Sequence, residues 1–281
     1  MGTAIVPARD MRAMRSEHGS VLAHIVADVG PRHALLIDPA KQAPDVAARR
    51  ALAAVERGSR LILVGGSTDT PDDVVHSTCQ EVQEALELAA TAASQDPMGD
   101  EARWKVPVVL FPGGAHALSP AADGILFMML MNSTDRRFLV EEQARGAPFV
   151  HRFGLDAVPT GYVVIEPGGE VGRVGHADLV APDDAGRVEG YAHAGAMYGF
   201  RLLYLEAGSG ASEPVRPAMI RTAAAVPGLV VMVGGGLRTG HAVRAAVEAG
   251  ADWVVTGTLI EDADAGSALH DALDDVLSGL A

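Results

Sequence analysis

Short apolar runs alternate with longer amphipathic stretches along most of the chain. Apolar runs rich in β-branched residues are typical of parallel strands buried on both faces, and the stretches between them fit crossover helices. The alternation predicts eight strands, over residues 34–37, 61–64, 106–111, 124–131, 161–165, 202–205, 229–233 and 253–256. It predicts helices over residues 45–57, 70–93, 135–145, 183–198, 217–226, 239–249 and 267–280.

Eight strands followed by a final helix favour a (β/α)8 TIM barrel over an open doubly wound sheet, because the ring of strands can close. We expect a single barrel domain over residues 21–281, preceded by a flexible arm over residues 1–20. The connection between the third and fourth strands, residues 112–123, contains two prolines and two glycines. Since it is too short for an ordinary crossover helix, the third helix is predicted to be shortened or replaced. Residues 94–105 are expected to form a polar excursion, and residues 167–185 a glycine-rich flap.

Composition narrows the class of protein. A chain of 281 residues that is 48% hydrophobic can bury one large core. Its formal net charge of −14 argues against nucleic acid or an anionic lipid surface as a partner. The longest apolar run, residues 124–131, is far shorter than the roughly 20 residues that cross a bilayer, so we expect no transmembrane segment. The single cysteine, Cys79, excludes an internal disulfide and fits a cytoplasmic location.

Three consecutive predicted strands end in glycine-rich turns, at residues 204–210 (YLEAGSG), 234–236 (GGG) and 256–258 (TGT). The backbone N–H groups of such turns can close on phosphate oxygens, because no Cβ stands in the way. In a barrel of this kind the chemistry gathers at the carboxyl ends of the strands. We therefore predict a phosphate site at these turns, with the carboxylate of Glu206 beside it.

A series of motifs runs from about residue 33 to residue 260: LIDPAK, LVGGS, VVLFPG, ADGILFMMLMNS, GYVVIEPGG, YLEAGSGA, VGGG and ADWVVTG. In this order they resemble the motifs of a known family, the geranylgeranylglyceryl phosphate synthases and their bacterial relatives. The resemblance implies a prenyltransferase on a (β/α)8 barrel with a replaced third helix. Such an enzyme joins an allylic prenyl diphosphate to a hydroxyl of a three-carbon phosphate, with Mg²⁺ as cofactor. The resemblance also implies a homodimer.

The same resemblance implies roles for individual residues. Asp38 and Ser67 would bind Mg²⁺ facing the donor diphosphate. Glu206, with Tyr204, would hold and deprotonate the acceptor hydroxyl. Phe127 and Tyr162 would line a groove for the prenyl tail. The acceptor phosphate would be bound by Tyr204, Leu205, Glu206, Ala207, Gly208, Ser209, Gly210, Gly234, Gly235, Gly236, Gly257 and Thr258.

Composition and two motif departures bear on the substrates. The chain has 20 arginines against two lysines, which suggests a GC-rich bacterial genome, and DPAK and FPGG replace the DPDK and FPGN expected in archaeal members. These features favour the bacterial moenomycin-pathway branch, which transfers a farnesyl group to 3-phosphoglycerate. The alternative is geranylgeranyl transfer to sn-glycerol 1-phosphate in ether-lipid synthesis.

Simpler interpretations stay open for each candidate. Asp38 and Ser67 could each cap a helix, and Glu206 could be a salt-bridge partner at the rim. Lys41 could neutralise diphosphate or be a solvated loop charge. Sugar-phosphate isomerases, lyases and aldolases share this fold, and a non-catalytic phosphate sensor would keep the same turns. The intact Asp38, Ser67 and Glu206 argue against a sensor, and the lack of lysine in the predicted strands argues against the other enzymes.

Overall fold

The structure, a computed structural model, describes residues 20–66, 70–263 and 267–281. Eight parallel strands pair in chain order, and the eighth returns to pair with the first, so the predicted TIM barrel is confirmed. Every predicted strand is present. The strands are β1 (Arg32–Ile37), β2 (Leu61–Gly66), β3 (Val108–Pro112), β4 (Gly124–Leu130), β5 (Asp156–Val164), β6 (Leu202–Glu206), β7 (Val230–Gly234) and β8 (Trp253–Thr256).

Helices surround the barrel. They are α1 (Val21–Val26), α2 (Pro44–Arg57), α3 (Asp72–Gln95), α4 (Glu101–Trp104), α5 (Glu142–Phe153), α6 (Gly169–Val174), α7 (Ala185–Tyr198), α8 (Pro217–Ala224), α9 (Gly240–Glu248), α10 (Thr258–Asp262) and α11 (Ser267–Ser278). A π-helical turn, Arg137–Glu141, leads into α5. None of the described helices is both long enough and apolar enough to span a bilayer.

Several boundaries differ from those predicted. β5 begins at Asp156 rather than residue 161, because Pro159 lies within the strand and does not break it. α5 continues past the predicted end at residue 145, although it contains Pro148. The predicted excursion and flap contain the short helices α4 and α6, and α1 and α10 were not predicted. The predicted arm, residues 1–20, lies outside the described residues except for Ser20, whose side chain caps α1.

The connection between β3 and β4 forms no helix in the described structure, as predicted. Side chains of α3 hold this connection in place by hydrogen bonds. The Asp72 carboxylate accepts hydrogen bonds from the N–H groups of Ala117 (2.6 Å) and Leu118 (3.2 Å). Gln83 donates to the carbonyl of Ala121 (3.2 Å). The first half of α3 therefore fixes an irregular segment where the barrel would otherwise carry a helix.

The short helix α1 closes the amino end of the barrel. Arg32, at the start of β1, donates hydrogen bonds to the carbonyls of His24 (2.6 Å), Ile25 (3.1 Å) and Ala27 (2.8 Å). Its guanidinium lies 4.2 Å from the ring centre of Trp253, whose indole N–H also donates to the Ile25 carbonyl. A buried cation thus satisfies the carbonyl end of α1, where no helical partner exists.

We expect Arg32→Met to lower the free energy of unfolding by about 2–4 kcal/mol, because three carbonyls lose their donor in a buried setting. Urea denaturation followed by circular dichroism measures this loss. Arg57→Met is the matched control, because Arg57 pairs with Asp274 at the surface and such pairs contribute about 1 kcal/mol or less. Equal losses in the two variants would contradict the role assigned to Arg32.

Candidate active site

One cavity of about 370 Å³ opens at the carboxyl ends of the strands. Two carboxylates of the barrel rim face it from opposite sides of the ring: Asp38 follows β1, and Glu206 ends β6. Of the predicted site residues, the cavity lining includes Asp38, Phe127, Tyr162, Tyr204, Glu206, Ser209, Gly210, Gly235, Gly236, Gly257 and Thr258. Ser67 lies outside the described residues.

The glycine turns after β6, β7 and β8 meet at one side of this cavity. The hydroxyls of Ser209 and Thr258 lie 2.8 Å apart, which joins the first turn to the last. Gly235 has a φ of +81°, and a Cβ there would lie 2.6 Å from Glu206 Oε1. Glycine is therefore required where the middle turn packs against the carboxylate. We refer to residues 209–210, 235–236 and 257–258 as the glycine cradle.

Four of the predicted phosphate residues lie behind the cavity surface. The side chains of Leu205 and Ala207 point into the apolar layer under the outer helices, and the Ala207 N–H donates to the Gly234 carbonyl. A Cβ on Gly234 would lie 2.1 Å from the Tyr204 hydroxyl, so this glycine makes room for the tyrosine. The Gly208 N–H is directed to Glu206. Strand alternation turns Leu205 and Ala207 away from the cavity, whereas Gly234 and Gly208 shape the site by the room they leave for Tyr204 and by the bond to Glu206.

Glu206 is a buried carboxylate with a defined set of donors. Its Oε1 accepts a hydrogen bond of 2.6 Å from the Gly208 N–H, and only 6% of the residue is exposed. Burial raises the pKa of Glu206 above its ordinary value, while the Gly208 N–H and the hydroxyls of Tyr204 and Tyr162 partly oppose that rise. A carboxylate with a raised pKa accepts a proton more readily than one in water, which suits a general base.

Two tyrosines flank this carboxylate inside the barrel. The rings of Tyr162 and Tyr204 meet edge to face at 5.0 Å, and Phe111 stacks on Tyr204 at 5.5 Å. Burial, followed by the negative charge of Glu206, raises the pKa of Tyr204 and of Tyr162 well above the usual value for tyrosine. Both are therefore neutral phenols, which can donate a hydrogen bond but cannot act as bases. The Tyr204 hydroxyl is buried and has no hydrogen-bond partner of good geometry among the residues that the structure describes.

The opposite side of the cavity carries Asp38. Its Oδ1 accepts the Ala40 N–H at 3.0 Å, and its Oδ2 lies 3.7 Å from the Lys41 ammonium. Lys41 pairs more closely with Glu261 of α10, at 2.9 Å. Burial alone would lower the pKa of Lys41, but Glu261 and Asp38 outweigh it and raise that pKa, so the side chain is a cation.

The donor set at Asp38 fits a weakly held magnesium ion. A Cβ on Gly66 would lie 3.0 Å from Asp38 Oδ2, so the absence of a side chain at Gly66 leaves room beside the carboxylate. The described residues contain no cluster of three or more His, Cys, Asp or Glu side chains that could enclose a metal. Mg²⁺ commonly takes one or two protein oxygens and fills its shell with water and phosphate. Asp38 therefore fits an ion that arrives with a phosphate-bearing substrate.

An apolar groove continues from this cavity toward the connection that replaces the third helix. The Ala115 N–H of that connection donates to Glu142 Oε2 at 2.7 Å, and the Arg137 guanidinium donates to Glu142 Oε1 at 2.6 Å. These bonds hold the connection against α5 as the groove's outer wall. The groove is lined by Gly113, Gly114, Ala115, Leu118, Ile125, Phe127, Phe138, Gly146 and Val150.

Tyr162 lies deeper than predicted. It is 5% exposed, and its hydroxyl faces Glu206 rather than the outer part of the groove where Phe127 lies. Sequence reasoning also missed four charged residues of the cavity: Glu142, Glu170, Arg238 and Glu261. The only signal for Arg238 was its position two residues after the GGG turn. Glu142 and Glu261 lie in helical segments where acidic residues are common, so nothing in the sequence distinguished them.

Comparisons with known proteins agree with this geometry. The sequence profile of the PcrB family matches residues 28–279. A geranylgeranylglyceryl phosphate synthase of Methanothrix thermoacetophila is 41% identical over 234 residues, which cover 83% of this chain and 85% of that protein. A protein of the same name from Pyrococcus abyssi is 38% identical over 248 residues, covering 88% and 91%.

Solved structures give the same result. The (S)-3-O-geranylgeranylglyceryl phosphate synthase from Thermoplasma acidophilum, in complex with its substrate sn-glycerol-1-phosphate, matches with a TM-score of 0.80 and 32% identity. The match covers 100% of this chain and 99% of that one. A thiamine phosphate pyrophosphorylase from Pyrococcus furiosus, at 11% identity and a TM-score of 0.54, shares the fold alone.

The buried Glu206 makes stability depend on pH in a defined direction. Because its pKa is raised in the folded state, folding is favoured by the protonated form, and this contribution is lost as pH rises from 4.5 through the folded pKa. We expect Glu206→Gln to match the wild type in thermal stability below pH 4.5 and to exceed it near neutral pH. Melting curves of both proteins across this range measure the difference. A difference that does not change with pH would contradict a buried, titrating carboxylate.

Proposed function

The chain belongs to the PcrB family and is a prenyltransferase, and we propose that it attaches a geranylgeranyl group to sn-glycerol 1-phosphate through an ether bond. The single observation that carries this proposal is the shared cavity of Glu206, Asp38 and the apolar groove. One carboxylate is beside the glycine cradle, and the other is beside the entrance to the groove. This arrangement suits a small phosphate acceptor and a long apolar donor that meet between them.

The acceptor side is the glycine cradle. Free backbone N–H groups and the hydroxyls of Ser209 and Thr258 would bind the phosphate of the three-carbon acceptor. The acceptor hydroxyl would then point toward Glu206, which the Gly208 N–H holds at the inner edge of the cradle. The bound substrate of the Thermoplasma acidophilum relative, sn-glycerol-1-phosphate, supports an acceptor of this size.

The donor side is Asp38 with the predicted partner Ser67. These two residues would hold Mg²⁺ against the donor diphosphate, and the apolar groove would take the prenyl tail. When bound, the ion would stabilise the negative charge that develops on the departing diphosphate. Phe127 and the replaced third helix leave the tail an apolar path that a complete barrel wall would block.

The proposed reaction breaks one C–O bond and forms another. The bond between prenyl C1 and the diphosphate breaks, and the diphosphate leaves with the electron pair. The acceptor oxygen forms the new bond to C1, and its proton passes to the Glu206 carboxylate. A carboxylate positioned in this way contributes on the order of 10²- to 10⁴-fold as a general base. The neutral Tyr204 and Tyr162 would orient that carboxylate by their hydroxyls.

Two details of this proposal are the identity of the acceptor and the length of the prenyl chain. The composition and the DPAK and FPGG motifs favour farnesyl transfer to 3-phosphoglycerate, whereas the similar proteins described above are named for geranylgeranylglyceryl phosphate. We give the second reading priority because it is supported by proteins at 38–41% identity. The cytoplasmic location and the homodimer stay predictions.

A direct assay distinguishes geranylgeranyl transfer to sn-glycerol 1-phosphate from farnesyl transfer to 3-phosphoglycerate. The purified protein is incubated with geranylgeranyl or farnesyl diphosphate, with sn-glycerol 1-phosphate or 3-phosphoglycerate, and with Mg²⁺ or EDTA. We expect a prenyl ether phosphate by mass spectrometry with geranylgeranyl diphosphate, glycerol 1-phosphate and Mg²⁺, and none with EDTA. Glu206→Gln should lower turnover by about 10²-fold or more without loss of folding. Greater kcat/KM with 3-phosphoglycerate would reverse the assigned acceptor.

The cradle can be tested separately from the carboxylate. Gly236 has a φ of +72°, and a Cβ there would lie 2.7 Å from the backbone of Glu213, so Gly236→Ala would displace the turn without touching Glu206. We expect this variant to raise the acceptor KM by about tenfold or more, which corresponds to the loss of one good phosphate contact. Gly228→Ala is the control: its φ is +86°, but no atom lies within 4 Å of the added Cβ. An equal effect of both variants on acceptor KM would indicate backbone strain alone.

A further inference from the structure

A ring of polar contacts joins the loop after β1 to helix α10 after β8. The Lys41 ammonium lies 2.9 Å from Glu261 Oε2 and 3.7 Å from Asp38 Oδ2. The shorter contact is a charge-assisted hydrogen bond, and the longer one exceeds the usual N–H···O range. Lys41 is therefore anchored on the helix that follows the neighbouring strand β8 rather than on the aspartate three residues before it.

The backbone of the same two segments is tied by Arg50 of α2. One side of its guanidinium donates to the Glu261 carbonyl at 2.9 Å. The other side donates to Gln42 Oε1 at 2.9 Å, and Gln42 in turn donates to the Asp38 carbonyl at 3.3 Å. This second set of bonds fixes where the backbones of Asp38 and Glu261 lie relative to each other, so the position of the Lys41 ammonium depends chiefly on which carboxylate it contacts.

Exposure differs sharply among the three charged side chains. Those of Asp38 and Glu261 are 9% and 12% exposed, whereas that of Lys41 is 45% exposed. The cation therefore remains open to a ligand while its two partners are mostly covered. An ion pair that served stability alone would gain little from such a half-exposed cation, because exposed pairs are worth at most about 1 kcal/mol.

We propose that Glu261 is a positioning residue that holds the Lys41 ammonium off Asp38, so that Lys41 can contact the donor diphosphate while Asp38 faces the magnesium ion. The inference rests on the proposed function. Without Glu261, the ammonium would close on Asp38 and compete with Mg²⁺ for that carboxylate. Glu261 also belongs to the helix that begins with Thr258, so the same contact links the donor side to the glycine cradle.

The direction in which Glu261→Gln changes anion binding distinguishes a positioning role of Glu261 from a purely electrostatic one. Glu261→Gln removes a negative charge from the cavity, so a purely electrostatic effect would strengthen the binding of an anion. Loss of positioning would weaken it. We expect Glu261→Gln to weaken the binding of inorganic pyrophosphate with Mg²⁺ by about five- to tenfold, measured by isothermal titration calorimetry. More Mg²⁺ should be needed for half-maximal binding.

A double-mutant cycle supplies the second readout. If Glu261 acts through Lys41, the double variant Lys41→Met with Glu261→Gln should bind pyrophosphate no more weakly than Lys41→Met alone. Its Mg²⁺ requirement should return toward that of the wild type, because no ammonium is left to compete at Asp38. Lys105 and Glu101 form the matched control pair, at 2.8 Å with 48% and 46% exposure. Lys105→Met and Glu101→Gln should leave binding unchanged.

Two results would overturn the inference: equal or tighter pyrophosphate binding by Glu261→Gln, or an effect of that substitution that persists in full without Lys41. Neither result bears on whether the wild type transfers prenyl groups. Conversely, a wild type that transfers nothing to any acceptor removes the proposed function, while the pyrophosphate titrations still decide how Glu261 and Lys41 act on a Mg²⁺–anion ligand.

Discussion

The hydrogen bond from the Gly208 N–H to the Glu206 carboxylate is the contact on which the rest of the site depends. It requires a turn immediately after β6, and Gly208 provides it with a φ of +104°. The next turn packs against both partners of this bond, because a Cβ at Gly235 would lie 2.6 Å from Glu206 Oε1 and 2.7 Å from the Gly208 nitrogen. The same bond offsets part of the cost of burying a charge. The glycines near Glu206 thus shape the cradle and hold the carboxylate with one arrangement of backbone.

The second constraint on the site is that no helix connects β3 to β4 in the described structure. Two acidic side chains bind the backbone of this connection instead. Asp72 binds the N–H groups of Ala117 and Leu118, and Glu142 binds that of Ala115. Backbone donors that a helix would have satisfied internally are thereby paired with carboxylates of the flanking helices. Because these anchors are single side chains rather than a packed helix, the barrel wall stays thin there. An apolar groove can open there while the N–H groups of Ala115, Ala117 and Leu118 remain paired.

The sequence predicted most of the fold because parallel strands buried on both faces leave continuous apolar runs, and all eight runs became strands. It also predicted the glycine turns beside Glu206, since a chain reversal with φ above zero selects glycine strongly. It failed where the deciding contacts are distant in sequence. Nothing near Lys41 indicates its partner Glu261, 220 residues away, and nothing near Asp72 indicates that its carboxylate holds residues 117 and 118. Likewise, Leu205 and Ala207 were included with their neighbours, although strand alternation turns their side chains outward.

The charge balance of the cavity bears on how an anionic donor can bind at all. Among the described residues that line it, five are acidic and two are basic: Asp38, Glu142, Glu170, Glu206 and Glu261 against Lys41 and Arg238. Side-chain charge alone would repel a diphosphate, in keeping with the formal net charge of −14 for the whole chain. Binding would then depend on uncharged backbone N–H groups for one phosphate and on a divalent ion for the diphosphate. In such a cavity the placement of the few fixed cations matters more than their number, and an ammonium that paired with Asp38 would remove both a cation and a ligand position at once.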